Sequence, residues 1–344
     1  GLFMEAIEQN PVYYELAFEM PCHPDSIDLR AWLKQYATRR YGAFSPATQK
    51  AWMLLLEGPY RQGTNGTEKS SIVAARPALD VKKSGPNAGL EIPYDPALII
   101  RAQSLLLEDA DKLSASRPYR FDLVDVQRQM MTNLGQLIHR KAAEAFRSKD
   151  REAFTLHSGR FLGMLADMDT LLRTRSEYSF DRWLTEARSW GETEEEKNQM
   201  ERDATSLVTI WGADGDPRIF DYSWREWAGL INGYYLPRWQ KFYTMLQQHL
   251  DEGTSYEEAG LPQIYGREAF RANDFYHALA EWELSYVDTY GKARIPATEG
   301  DEVDIVKRLF KKYFKLSQEY YTDSIKLIKP SRDERTYENL GEDL

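Results

Sequence analysis

Cysteine is almost absent from this chain: Cys22 is the only one in 344 residues. A single thiol excludes an internal disulfide and any metal site built from several cysteines. No run approaches the roughly 18 consecutive apolar residues of a membrane-spanning helix. Basic charge is in deficit, with 44 Lys and Arg against 54 Asp and Glu and a net charge of −10. That balance argues against a nucleic-acid binder, which neutralises phosphates with a basic surface. The apolar–polar alternation that marks strands is missing as well, apart from short ambiguous pieces such as Ser71–Ala74. The sequence opens GLFMEAIEQN, with neither an initiator methionine nor a basic-then-apolar leader, as expected of a native protein after processing or of a segment cut from a longer polypeptide.

Helical periodicity is what the chain does have. Between Tyr119 and Phe146, apolar residues fall at Phe121, Val124, Met131, Leu134, Ile138, Ala142 and Ala145, intervals that trace one face of an α-helix. Similar patterns run through 29–41, 47–56, 97–113, 154–172, 180–190, 194–211, 224–250, 268–287 and 303–328. Ser26 and Asp28 precede the first of these as caps, and Ser45-Pro46 sets a cap followed by proline in the first turn. An all-α fold, a multi-helix array, is the expectation. The clearest break is 58–93, rich in Gly, Pro, Ser, Asn and Lys, where Arg76-Pro77 and Gly85-Pro86 resist helix; it reads as a long surface loop. Shorter breaks fall at 212–217 and 253–266, and the polar end from Lys329 reads as frayed.

Several familiar motifs fail on inspection. Gly58 and Gly63 have phosphate-loop spacing, but Thr64 stands where lysine is required. Asp214-Gly215-Asp216 is followed by Pro217, Arg218 and Arg225 where a calcium loop needs ligands. The five histidines show no metal-ligand spacing, and Cys22-His23 is adjacency without base geometry. Arg39-Arg40 and Lys311-Lys312 read as solvated charge clusters. No cofactor or metal is called for.

Two constellations remain. Glu5 and Glu8 lie beside apolar Phe3, Met4 and Ile7; partial desolvation would tune such a carboxylate for acid, base or nucleophile work, although ordinary surface acids look the same in sequence. They are not a glycosidase pair themselves, because carboxylates three apart on one helix point to one side of a sugar, whereas glycoside hydrolysis needs two that flank the bond. The second constellation is aromatic. Ten aromatic residues lie between Trp211 and Tyr243, more than twice the chain's 13 % average. Trp224, Trp227, Tyr234 and Trp239 fall at helical intervals and read as core. Trp211 and Tyr222 flank a glycine-rich turn, where rings can project into a cleft and stack on the apolar faces of pyranose sugars.

At these residues the sequence resembles the α-N-acetylglucosaminidases of glycoside hydrolase family 89. The matching stretches are Met4–Pro11, Arg39–Gly42, Tyr119–Asp125, Trp211-Gly212 and Gly229–Trp239, in family order over most of the chain. The resemblance implies a (β/α)8 catalytic barrel followed by an all-helical C-terminal domain, with residues 1–25 as the end of the barrel and 26–344 as the helical domain. It makes Glu5 the nucleophile of a retaining mechanism, and Trp211 and Tyr222 aromatics lent to the sugar pocket. The acid/base glutamate would lie upstream, on a barrel strand this chain lacks. Ala6 departs from the glycine usual after the catalytic glutamate, and Gly233 from the Asn or Asp usual before the paired tyrosines.

The implied partners are a glycan ending in α-linked N-acetylglucosamine and the upstream barrel of the same polypeptide. The implied setting is lysosomal in animal relatives and secreted, periplasmic or cell-envelope in bacterial ones. A nucleophile without its partner and without barrel walls to exclude water gives negligible turnover, so the segment by itself is expected to be inactive. The alternatives are a helical module that binds glycan or protein without chemistry, and a plain structural scaffold with all its aromatics buried.

Overall fold

The computed structural model describes residues 10–23, 27–61, 70–85, 89–211, 220–256, 258, 273–289, 291 and 298–321. Among them the chain is all-α, and its only β pairings are two isolated bridges, Lys83 with Gly89 and Ser179 with Ala228. Helices begin where the sequence supplies caps. α1 (Pro11–Glu19), α3 (Pro46–Glu57) and α4 (Pro96–Glu108) open with proline in the first turn, where its missing N–H is no loss. Asp28 accepts from the backbone N–H groups of Arg30 and Ala31 at 3.0 and 3.1 Å to start α2 (Leu29–Tyr41), and Ser45 accepts from Thr48 N–H to start α3. α2 ends on Gly42, whose φ of +74° is the left-handed turn that favours glycine.

A short α5 (Ala110–Leu113) leads into the long α6 (Arg117–Arg147), and α7 (Arg151–Leu172) packs back along it. The stripe read from the sequence lies inside: Val124, Met131, Leu134, Ile138 and Ala142 are fully buried. At roughly 2 kcal/mol for each large side chain taken out of water, that face provides the main reason for α6 to sit at the centre. α4 and α12 (Glu302–Tyr320) cover α6, while α10 (Leu236–Glu252) packs on α7. α8 (Phe180–Arg188) and α9 (Glu194–Leu207) form a hairpin, and α11 (Asp274–Asp288) leans on α9 and α10. Among the described residues no helix is long and apolar enough to cross a membrane.

Three expectations need correction. Apart from a 3-10 turn at Pro59–Arg61, the described residues of 58–93 are not helical, but those in its middle are not at the surface: Ile72, Val73, Ala74, Ala75 and Arg76 are at most 1 % exposed. Buried irregular backbone is tolerated only when its polar groups find partners. Here side chains from later helices supply them, with Arg238 donating to the Ala74 carbonyl at 2.7 Å, Trp239 to Val73 at 3.4 Å and Tyr276 to Pro77 at 3.0 Å.

The pattern at 224–250 is not one helix. Residues 224–227 are not helical, Ala228 is bonded to Tyr178 and Phe180, and helix begins with a π turn at Ile231–Tyr235. Pro237 cannot donate to the carbonyl four residues back and would crowd it; widening the turn, so that Leu236 N–H reaches Ile231, relieves both problems. Trp227, Tyr234 and Trp239 are core, as read, whereas Trp224 is half-buried. Arg40 is no solvated charge either: its guanidinium forks onto Asp122 at 2.7 and 2.8 Å, with both side chains largely buried.

Candidate functional site

α9 ends in a tight turn that brings Trp211 to the surface. Trp211 adopts a φ of +58°, with its N–H bonded to the Ser206 carbonyl at 2.6 Å. Across the turn, Asp221 has a φ of +57°, and its N–H donates to Thr209 at 2.7 Å. This cross-link places the next side chain, Tyr222, against Trp211: the ring centroids lie 4.7 Å apart at 52°. Tyr222 is 39 % exposed and Trp211 half-buried, while neighbouring Phe220 and Ile210 are pinned beneath them against Ala280 and Val287 of α11. The structure therefore brings together two of the three residues singled out from the sequence. The third, Glu5, lies outside the described residues, as do Glu8 and the glycine-rich turn at 212–217.

Beneath the aromatic pair is a feature that aromatic counting does not reveal. Arg238 Nη1 donates to both oxygens of Asp221, at 3.1 and 2.9 Å, and to Glu283 Oε1 at 3.0 Å. Glu283 also holds Arg76, at 3.0 Å. All four side chains are fully buried, and the guanidinium of Arg238 lies 4.4 Å from the Tyr234 ring centroid. Burial pushes the Asp221 carboxyl up to about 7, with Arg238 opposing the shift. Two cations and two carboxylates cancel, so the group has no net charge in its ionised form, as buried ions require.

A second buried polar centre lies where α2 meets the start of α6. Asp122 accepts the Arg40 fork and the Tyr41 hydroxyl at 2.8 Å, and Tyr41 accepts from Trp52 at 2.9 Å. Burial raises the Asp122 carboxyl despite Arg40. One turn on, Asp125 accepts from Arg128 and from the Tyr178 hydroxyl at 2.9 Å. Arg128 also pairs with Glu226, which in turn accepts from Ser71 and Thr132. Two of the stretches that carry the family resemblance, Arg39–Gly42 and Tyr119–Asp125, thus meet face to face.

Residues 32–312 match the family model described as the alpha-N-acetylglucosaminidase (NAGLU) C-terminal domain. Alpha-N-acetylglucosaminidase of Homo sapiens is 32 % identical over 321 residues, a match covering 91 % of this chain and 40 % of the human protein. A family 89 glycoside hydrolase from Clostridium perfringens, in complex with PUGNAc, superposes with a TM-score of 0.77 at 26 % identity, over 88 % of this chain and 34 % of that one. The same bacterium's enzyme with two glutamates replaced by glutamine, in complex with its substrate GlcNAc-alpha-1,4-galactose, gives 0.78 at 27 % identity, over 90 % and 34 %. The chain spans about 40 % of its human relative. With the family model covering most of its length and the helical architecture in accord, the chain belongs to the alpha-N-acetylglucosaminidase C-terminal domain family.

Proposed function

We propose that this chain is the helical part of a retaining exo-glycosidase that removes terminal α-linked N-acetylglucosamine from glycans. It lends the sugar pocket one aromatic wall, Trp211 with Tyr222, and one carboxylate, Glu5. The observation that carries this reading is the aromatic pair: two rings in contact, one exposed and one half-buried, held by buried groups, within a stretch whose other aromatics are mostly core. Ring faces pack on the C–H face of a pyranose while the Tyr hydroxyl and indole N–H reach its hydroxyls.

Glu5 attacks the anomeric carbon and forms a glycosyl-enzyme ester. A glutamate from the upstream barrel protonates the leaving oxygen and then activates the water that releases the sugar. In this reading residues 1–25 end the barrel and 26–344 form the helical domain. The start of the described chain supports an upstream partner: Phe18 and Met20 are 74 % and 57 % exposed, with Tyr13 and Leu29 also open, and exposed apolar side chains favour cover.

The test is hydrolysis of a chromogenic α-N-acetylglucosaminide by this chain and by a polypeptide extended upstream through the barrel. Activity is expected only in the longer protein, and Glu5→Gln there is expected to abolish it. Retained turnover in that variant removes Glu5 from the chemistry, and silence in both proteins favours a module that binds glycan or protein without chemistry.

A further inference from the structure

Side chains other than glycine adopt positive φ at a cost of about 1–2 kcal/mol, and such positions persist only where their surroundings hold them. Among the described residues three do so, and two of them, Trp211 and Asp221, flank the aromatic pair. Asp221 is held from three sides. Its N–H is bonded to Thr209, two residues before Trp211, and its carboxylate is gripped by Arg238. Its carbonyl lies against Gly85, where a Cβ would come within 2.9 Å of the oxygen. Arg238 in turn is fixed by Glu283 from α11 and by the Ala74 carbonyl from the buried 70–85 segment. A buried ionic group serving stability alone could end anywhere in the core; this one ends on the residue that precedes Tyr222.

We propose that the Arg76–Glu283–Arg238–Asp221 quartet, together with Gly85, positions the Trp211–Tyr222 wall and so sets how tightly the sugar is held, without touching it. The proposal rests on the reading of that pair as a sugar wall. With the two rings already in contact, a displacement of Asp221 by a fraction of an ångström passes to Tyr222 through a single peptide unit and changes the gap a pyranose face must fill. Misplacement on the ångström scale lowers rates by up to about 100-fold. The wall binds ground and transition states alike, so the loss falls on KM rather than kcat.

The experiment is steady-state kinetics on a nitrophenyl α-N-acetylglucosaminide, using the enzyme that carries this chain with its barrel. Asp221→Asn removes the negative charge and one of the two oxygens that Arg238 Nη1 reaches, and Gly85→Ala pushes on the Asp221 carbonyl while leaving every charge in place. Each is expected to raise KM by about tenfold with kcat within about twofold of the parent. Leu309→Ala, a core truncation in α12, controls for lost stability and should leave KM unchanged. Trp211→Ala separates the two levels of the reading. If it leaves KM unmoved, the sugar wall itself is wrong. If it raises KM while folded Gly85→Ala and Asp221→Asn do not, only the positioning role is overturned. Should Asp221→Asn fail to fold, Gly85→Ala decides alone.

Discussion

His139 makes acid stability a quantitative test of this core. Its imidazole is buried in α6, 4.8 Å from the Trp239 ring centroid and edge-on to it, with Nδ1 2.8 Å from the Tyr243 hydroxyl. Burial pushes its pKa down to about 4, against weaker opposing contributions from the Ala78 and Leu79 backbone. An unfolded histidine titrates near 6.5, so on acidification the unfolded chain takes up a proton that the folded one refuses. The contribution is therefore fully present above about pH 6.5 and is lost as pH falls towards 4. Integrated between about pH 7.5 and about pH 4.5, the two pKa values give a loss of about 2–3 kcal/mol. His139→Phe keeps a ring against Trp239 but leaves the Tyr243 hydroxyl unpartnered, at a cost of about 1–3 kcal/mol at neutral pH. Urea unfolding of both proteins, followed by circular dichroism across that pH range, separates these effects. Carboxylates elsewhere titrate equally in the two, so the difference between the curves isolates His139. The variant's deficit should shrink by about 2–3 kcal/mol towards acid. A deficit that stays constant with pH would refute a neutral, desolvated His139.

Two further outcomes follow from the polar centres and caps. Arg40→Ala strands the Asp122 carboxylate in the α2–α6 junction and is expected to lower stability by about 3–5 kcal/mol, read as a shift in the urea midpoint; a loss under about 1 kcal/mol would return Arg40 to the surface. Thr193 and Glu196 form a reciprocal capping box at the start of α9, so Thr193→Ala should cost about 1 kcal/mol, visible as a small fall in Tm with no change in sugar kinetics.

The fold was legible where apolar spacing and caps spoke together. Asp28, Ser45 and the α6 stripe were all readable because helix caps and one-sided burial are local patterns. What sequence concealed were long-range compensations. Glycine, proline and serine around the Arg76-Pro77 pair have the composition of a surface loop, and nothing nearby reveals that Arg238 and Trp239 supply its missing hydrogen bonds. The doublet Arg39-Arg40 illustrates the same limit at single-residue scale, since Arg39 is an exposed partner of Glu15 while its neighbour is swallowed by Asp122. At the candidate site, the glycine-rich turn and its flanking aromatics pointed to Trp211 and Tyr222. The quartet below them left one usable trace, an arginine and two carboxylates in otherwise aromatic, apolar surroundings. Charges in such company suggest pairing, but not with whom.

The buried 70–85 segment also sets when this protein can finish folding. Its Ser71 waits for Glu226, its Ala74 for Arg238 and its Arg76 for Glu283, separations of 155, 164 and 207 residues. Most helical proteins close through neighbours in sequence and fold fast, whereas distant closures slow the search. On a ribosome adding about 5–20 residues per second, the arginine emerges roughly 10–40 s before the carboxylate that neutralises it. During that interval the α2–α7 region can collapse around a segment whose ionic and backbone partners do not yet exist. This helical domain thus has the assembly schedule of a β-rich one, with its centre locked only after α11 has left the exit tunnel.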